Sequence, residues 1–163
     1  MPIAKYVAGG AMGFALGIGF LGHSPQLEPP QGGSDKLTAA SLKTMIDGLG
    51  YENKVLNSDA GKEKYEVSMK TDKLNIPVGA EISPSGNYIW LTVFLGENKS
   101  TKPHEELLKS NGSIQPTFFY ITSKGNLMAA MAMDNRAVTA PIMKRCLDKL
   151  TSDVDKTADL WQK

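Results

Sequence analysis

The chain has one cysteine, two histidines and almost no net charge. Each shortage excludes something. Cys146 alone cannot form an internal disulfide, and burial in an oxidising compartment would leave it intact. Cys146, His23 and His104 lie too far apart in the chain to form a multi-Cys/His metal motif. A formal charge of +1, with lysines and acids interspersed, offers no field or basic stripe for nucleic acid. No glycine-rich loop follows a strand and opens a helix in the folded part, so no phosphate cofactor is expected. No G-x-S-x-G elbow and no coherent Ser/His/Asp set occurs. The sequence therefore predicts no catalytic residue, no metal and no cofactor.

What is present divides into three stretches: an apolar segment within residues 1–22, a Pro/Gly-rich linker over 23–35, and a domain over 36–163. Tyr6 to Gly22 (YVAGGAMGFALGIGFLG) carries no charge and follows Lys5. As a helix it would span roughly 25 Å, slightly under the hydrocarbon core of a bilayer. A retained membrane anchor, a cleaved secretory signal and a buried helix all fit this layout. Gly22-His23-Ser24 is the nearest cleavage site, with Pro25 against it. Gly9, Gly13 and Gly17 form one strip of small residues, and Ala11, Ala15 and Gly19 form a second. On a helix such strips let another membrane helix approach closely, which favours the anchor. Lys5 keeps the N-terminus cytoplasmic and places the domain outside the cytoplasm. His23 to Gly33 has no periodicity and reads as a linker.

The domain is organised around Lys64 to Leu95. Leu74, Ile76, Val78, Ala80 and Ile82 alternate with polar or small residues, the period of a strand with one buried face. Tyr65, Val67 and Met69 alternate before it, Ser83-Pro84-Ser85-Gly86 is a turn, and Tyr88 to Leu95 is a strand rich in aromatic and β-branched residues. Pro77 removes a donor, so its strand should bulge or stay unpaired on one side there. Ahead of this meander, Ser34 or Thr38 can cap a helix with Leu42, Met45, Ile46 and Leu49 on one face and Gly50 just past its end. Tyr51 to Asn57 has the makings of a short irregular strand. Pro103 to Asn111 reads as a short helix with Leu107 and Leu108 inward. Thr117 to Ile121 and Leu127 to Met133 form a second hairpin. In the last helix, capped by Thr139, Met143, Leu147, Leu150, Val154 and Trp161 trace one stripe, with Cys146 and Ala158 on it. The fold class is α+β: an antiparallel sheet of about five strands with packed helices, in the order α-β-β-β-α-β-β-α, preceded by the apolar segment.

That order, with LKTMIDGLGYE (Leu42 to Glu52), LNIPVGAEISPSGNYIWLTVFLG (Leu74 to Gly96) and MDNRAVTAPIMKRCLDKL (Met133 to Leu150), resembles the YbjN-like and class I type III secretion chaperone-like superfamily, also called the Tir chaperone family. The resemblance covers about residues 36 to 161. It implies a small α+β domain that binds other proteins without catalysis. The secretion chaperones of that family are cytoplasmic homodimers that hold an extended effector segment, so the resemblance also implies that a homodimer is compatible with the fold. A cytoplasmic chaperone has no use for an apolar leader. The expectation is therefore a non-enzymatic accessory or scaffold subunit of a membrane-associated complex outside the cytoplasm, with membrane-protein partners. A secreted, soluble chaperone-like domain with a cleaved leader is the alternative.

The candidate partner surface is Tyr88, Trp90 and Phe94 on one strand with Met128 and Met131 on another, where LMAAMAM combines soft and small side chains. Asp134, Asn135 and Arg136 form a polar cluster between a strand and a helix. It reads as a structural corner, with a carboxylate-binding or base-positioning site as the sharper alternative. His104-Glu105-Glu106 lacks a second histidine at i+4 and reads as a solvated first helical turn. Asn98-Lys99-Ser100 and Asn111-Gly112-Ser113 match the glycosylation sequon.

Overall fold

A computed structural model describes residues 36–163. The anchor-or-leader segment, its small-residue strips (Gly9, Gly13, Gly17, Ala11, Ala15, Gly19) and the linker lie outside the described residues. Among the described residues no helix is long and apolar enough to cross a membrane.

Helix α1 (Ala39–Gly48) starts at Thr38. Thr38 Oγ1 accepts from the Ser41 N–H at 3.2 Å and Ser41 Oγ accepts from the Thr38 N–H at 2.8 Å, a reciprocal cap. Leu42 and Ile46 are fully buried. Gly50 ends the segment at φ +75°, a conformation that costs glycine little.

Six strands follow in one antiparallel sheet: β1 (Asn53–Asn57), β2 (Lys64–Lys70), β3 (Asn75–Ile82), β4 (Tyr88–Glu97), β5 (Phe118–Ile121) and β6 (Asn126–Asp134). Their spatial order is β1-β2-β3-β4-β6-β5. The extra strand over the expected five is β1, an edge strand whose register slips between Val55 and Asn57. Pro77 pairs with Ser68 of β2, while pairing of β3 with β4 begins only at Gly79. The imide thus sits where one side of the strand has no ladder to break.

Between β4 and β5, helix α2 (His104–Ser110) buries Leu107. Leu108, expected inward, is 67% exposed. Adjacent helical positions diverge by about 100°, so a short helix docks only one of the pair. The carboxamide of Asn111 then reaches the outer edge of β5: its Oδ1 accepts from the Phe119 N–H at 2.7 Å and its Nδ2 donates to the Phe119 carbonyl at 3.2 Å.

Helix α3 (Ala140–Lys156) buries Met143, Leu147, Leu150 and Val154. Thr139 occupies its cap position without a side-chain cap bond. The single long helix expected through Trp161 is interrupted at Thr157, whose hydroxyl donates to the Asp153 carbonyl at 2.7 Å. A short turn, α4 (Ala158–Trp161), follows, and the Trp161 indole donates back to the Val154 carbonyl at 2.8 Å. Helices α1 and α3 pack together, and α3 lies on β2, β3 and β6. The core is the layer between them and one face of the sheet: Val67, Val78, Ile89, Leu91, Leu127 and Met131 meet Leu42, Ile46, Met143 and Leu147.

Candidate protein-binding face

Strand alternation sends every second side chain away from the helices. On β4 these are Tyr88, Trp90, Thr92 and Phe94; on β6, Met128, Ala130 and Ala132; on β5, Phe118 and Tyr120. No helix of the described domain covers this face at Tyr88 or Phe94, which remain 47% and 56% exposed. Trp90, Phe118, Tyr120 and Met128 are half-buried.

Strand pairing explains how the aromatics gather. Thr92 lies opposite Ala130 and Ala130 opposite Phe118, so two small side chains separate larger ones across three strands. Ala130 is fully buried although it points away from the helices. The rings of Trp90 and Phe118 meet edge to face, with centroids 6.2 Å apart and planes at 78°. Phe118 and Tyr120 are 5.8 Å apart and tilted at 45°. Such geometry is favourable for aromatic pairs and makes one continuous wall.

Opposite the wall the face turns polar. Lys64, Glu81 and Trp90 occupy consecutive positions across β2, β3 and β4. Lys64 Nζ is 3.1 Å from Glu81 Oε1. The Lys64 stem lies across Gly79: a Cβ there would stand 3.0 Å from Lys64 Cε and 2.9 Å from Thr92 Oγ1. Glycine is needed at this point for close approach. Between the wall and this ion pair runs a groove of about 660 Å³, reaching Asn57 and the Gly61–Lys64 segment at its far side. Burial, followed by the nearby Glu81 carboxylate, pushes the Tyr120 hydroxyl above its ordinary pKa.

The candidate residues divide between the two faces. Tyr88, Trp90, Phe94 and Met128 share the open face. Met131 does not: it pairs with Leu91 and is 1% exposed in the core, because odd-numbered positions of β6 face the helices. Phe118, Tyr120, Glu81 and Lys64 complete the face, beyond the residues that the sequence pattern marks. Alternation within TFFYI gives the signal for the two aromatics, but only pairing with β6 reveals which face they join.

Asp134, Asn135 and Arg136 form a corner. Asn135 is fully buried; its Oδ1 accepts from the Leu37 N–H at 3.1 Å, and its Nδ2 donates to the carbonyls of Leu37 and Gly86, each at 3.0 Å. It ties the start of the described chain to the β3–β4 turn. Arg136 is held by the Asp134 carboxylate, and both side chains are largely exposed. Hydrogen bonds from the Arg136 side chain and backbone lower the Asp134 pKa to about 2. The neighbouring depression is about 290 Å³ and bordered by Lys36, Asn87 and Tyr88. Lys36 Nζ there donates to Asn87 Oδ1 at 2.6 Å. His104 Nε2 is 2.6 Å from Asn98 Oδ1. Both sequon asparagines therefore have engaged side chains, Asn98 here and Asn111 on β5. Cys146 is half-buried on α3, and burial raises its thiol pKa. No cluster that could hold a metal ion occurs among the described residues.

The fold has solved counterparts. The chain is similar to a chain of the HopA1-SchA chaperone-effector complex, at 15% identity and a TM-score of 0.52, with 75% of this chain and 94% of that one covered. The domain shares its fold with that chain. It is also similar to a chain of the heterodimeric ExoU-SpcU complex from the type III secretion system of Pseudomonas aeruginosa, at 16% identity and a TM-score of 0.45, covering 72% of this chain and 94% of that one. At 15% identity the likeness to the first of these is one of fold. No protein-family model and no curated protein matches the chain. The α+β architecture implied by the sequence resemblance is thus present, with the aromatic wall on the open face of its sheet.

Proposed function

We propose that this is a non-catalytic protein-binding domain, and that its open sheet face receives a segment of a partner protein. The observation that carries the reading is the Trp90–Phe118–Tyr120 wall, left uncovered by the helices of the described domain and bordering a groove of about 660 Å³. Exposed apolar surface rimmed by polar groups is the usual mark of an interaction site. A fold shared with a chain of a chaperone-effector complex supports the same direction. The finer reading is an accessory subunit tethered outside the cytoplasm by residues 6–22, with membrane proteins among its partners; Lys5 and the glycine strips support it.

The test is affinity purification of the full chain from solubilised membranes of its own cells, compared with Trp90→Ala and Phe118→Ala. A specific partner should be recovered with the unaltered protein and lost with either variant, while thermal unfolding confirms that both fold. An identical partner set in all three would overturn the binding face. N-terminal sequencing of the mature protein tests the tether: a start after residue 22 would remove it.

A further inference from the structure

Two short helices at one end of the domain hold each other in place. Helix α2 packs on β5 and on α4, and α4 packs on α2 and α3. Leu107 is the side chain that α2 buries, and α4 buries none. Neither helix has a side-chain cap bond at its start. Helices this short do not persist without tertiary support. Among the described residues, the segment 99–110 makes one hydrogen bond to a distant part of the chain: Lys102 Nζ donates to the Trp161 carbonyl. Helix α4 in turn is tied to α3 by the Trp161 indole on the Val154 carbonyl at 2.8 Å. Trp161 thus joins α2 to the end of α3.

The segment is bounded by firmer attachments. Ahead of it the Asn98 N–H donates to the Gly125 carbonyl at 2.8 Å. Behind it the Asn111 carboxamide holds Phe119, and Lys149 Nζ donates to the Ile114 carbonyl at 2.9 Å. The interruption at Thr157 separates α4 from α3 in the same way. We infer that residues 99–110 and the strap from Ala158 to Trp161 open together as one unit, with Trp161 as its latch, while the sheet and α3 stay folded. Units with few buried apolar contacts open at a lower free energy than the core. Opening brings Leu107, 2% exposed when closed, into solvent beside Leu108, which is already 67% exposed. The open state therefore presents an apolar pair on α2 that the closed state hides.

The experiment is native-state hydrogen exchange of the full chain, read by two-dimensional NMR at the α2 amides, the Trp161 indole N–H and the amides of β4 and β6. The α2 amides and the Trp161 indole should share one opening free energy, below that of β4 and β6. Lys102→Met keeps the stem and removes the donor. It should speed exchange about 3- to 10-fold in α2 and at the indole alike, with β4 and β6 unchanged. Coupling is reciprocal, so Leu107→Ala on α2 should speed the Trp161 indole at least about tenfold. Exchange in α2 as slow as in β4 and β6 overturns the inference. So does acceleration of α2 without the indole, acceleration of every element by the same factor, or no response to either substitution.

Discussion

Replacing Asn135 with alanine should be among the most damaging polar substitutions in the domain. Three side-chain hydrogen bonds are lost, and the Leu37 N–H, the Leu37 carbonyl and the Gly86 carbonyl lose a partner together. A net hydrogen bond contributes about 1 kcal/mol, and a stranded buried group costs more than the bond itself. Leu37 is only half-buried, so water can compensate in part. The expected loss is roughly 3 kcal/mol, or about 10 °C in Tm for a domain of this size. Urea unfolding followed by far-UV circular dichroism would read it as a lower midpoint with an unchanged slope. Asn135→Asp sharpens the test. It keeps the acceptor for the Leu37 N–H but places a carboxylate against two carbonyl oxygens. Desolvation and those dipoles should raise its pKa in the folded state above its unfolded value. The variant should then be least destabilised below the unfolded carboxylate pKa and lose stability as pH rises through the folded one. An alanine variant within about 1 kcal/mol of the parent, or an aspartate variant of undiminished stability at pH 7, would refute the reasoning.

Asp134 is held near pKa 2 by Arg136, so Arg136→Gln should return it toward the ordinary carboxylate range in a carboxyl-carbon NMR titration. Because the folded pKa is the lower one, the pair's stabilisation is present above the unfolded carboxylate pKa and lost as pH falls toward about 2. Met131→Asp should prevent stable folding, since it buries an unpaired charge, whereas Met128→Asp on the open face should leave the thermal transition nearly in place; equal effects would mean the faces are misassigned. Gly79→Val should cost about 1–3 kcal/mol, because its Cβ would crowd Thr92 Oγ1, and a neutral result in chemical unfolding would argue against that close approach. The Cys146 thiol should react more slowly with a disulfide reagent than free cysteine at pH 7.5; an equal or faster rate would contradict its desolvation.

The local elements were legible because their signals are local. Period two marks β3, period 3.6 marks α1 and α3, and Thr38 is one of two candidate caps, Ser34 being the other, for the start of α1. Strand β1 (NKVLN) lacks that clarity: its residues gain a sheet environment only by pairing with β2, and strand preference depends on such context. The aromatic wall was half legible. Trp90 and Phe94 could be placed on one face of their strand, but Phe118 and Tyr120 join them through β6, which the strand order inserts between β4 and β5. Composition groups Met131 with Met128, because LMAAMAM reads as one surface until strand alternation divides it. The role of Asn135 depends on a partner 98 positions away at Leu37, beyond the reach of any sequence window.

The Asn111 carboxamide has a consequence for the sheet as a whole. By accepting and donating at Phe119, it occupies the two backbone groups through which another strand would join that end. Across the sheet, β1 carries Val55 and Leu56 at 50% and 47% exposure. Among the described residues the two ends of the sheet therefore differ: one is closed by a side-chain amide, and the other is a strand paired on one side only.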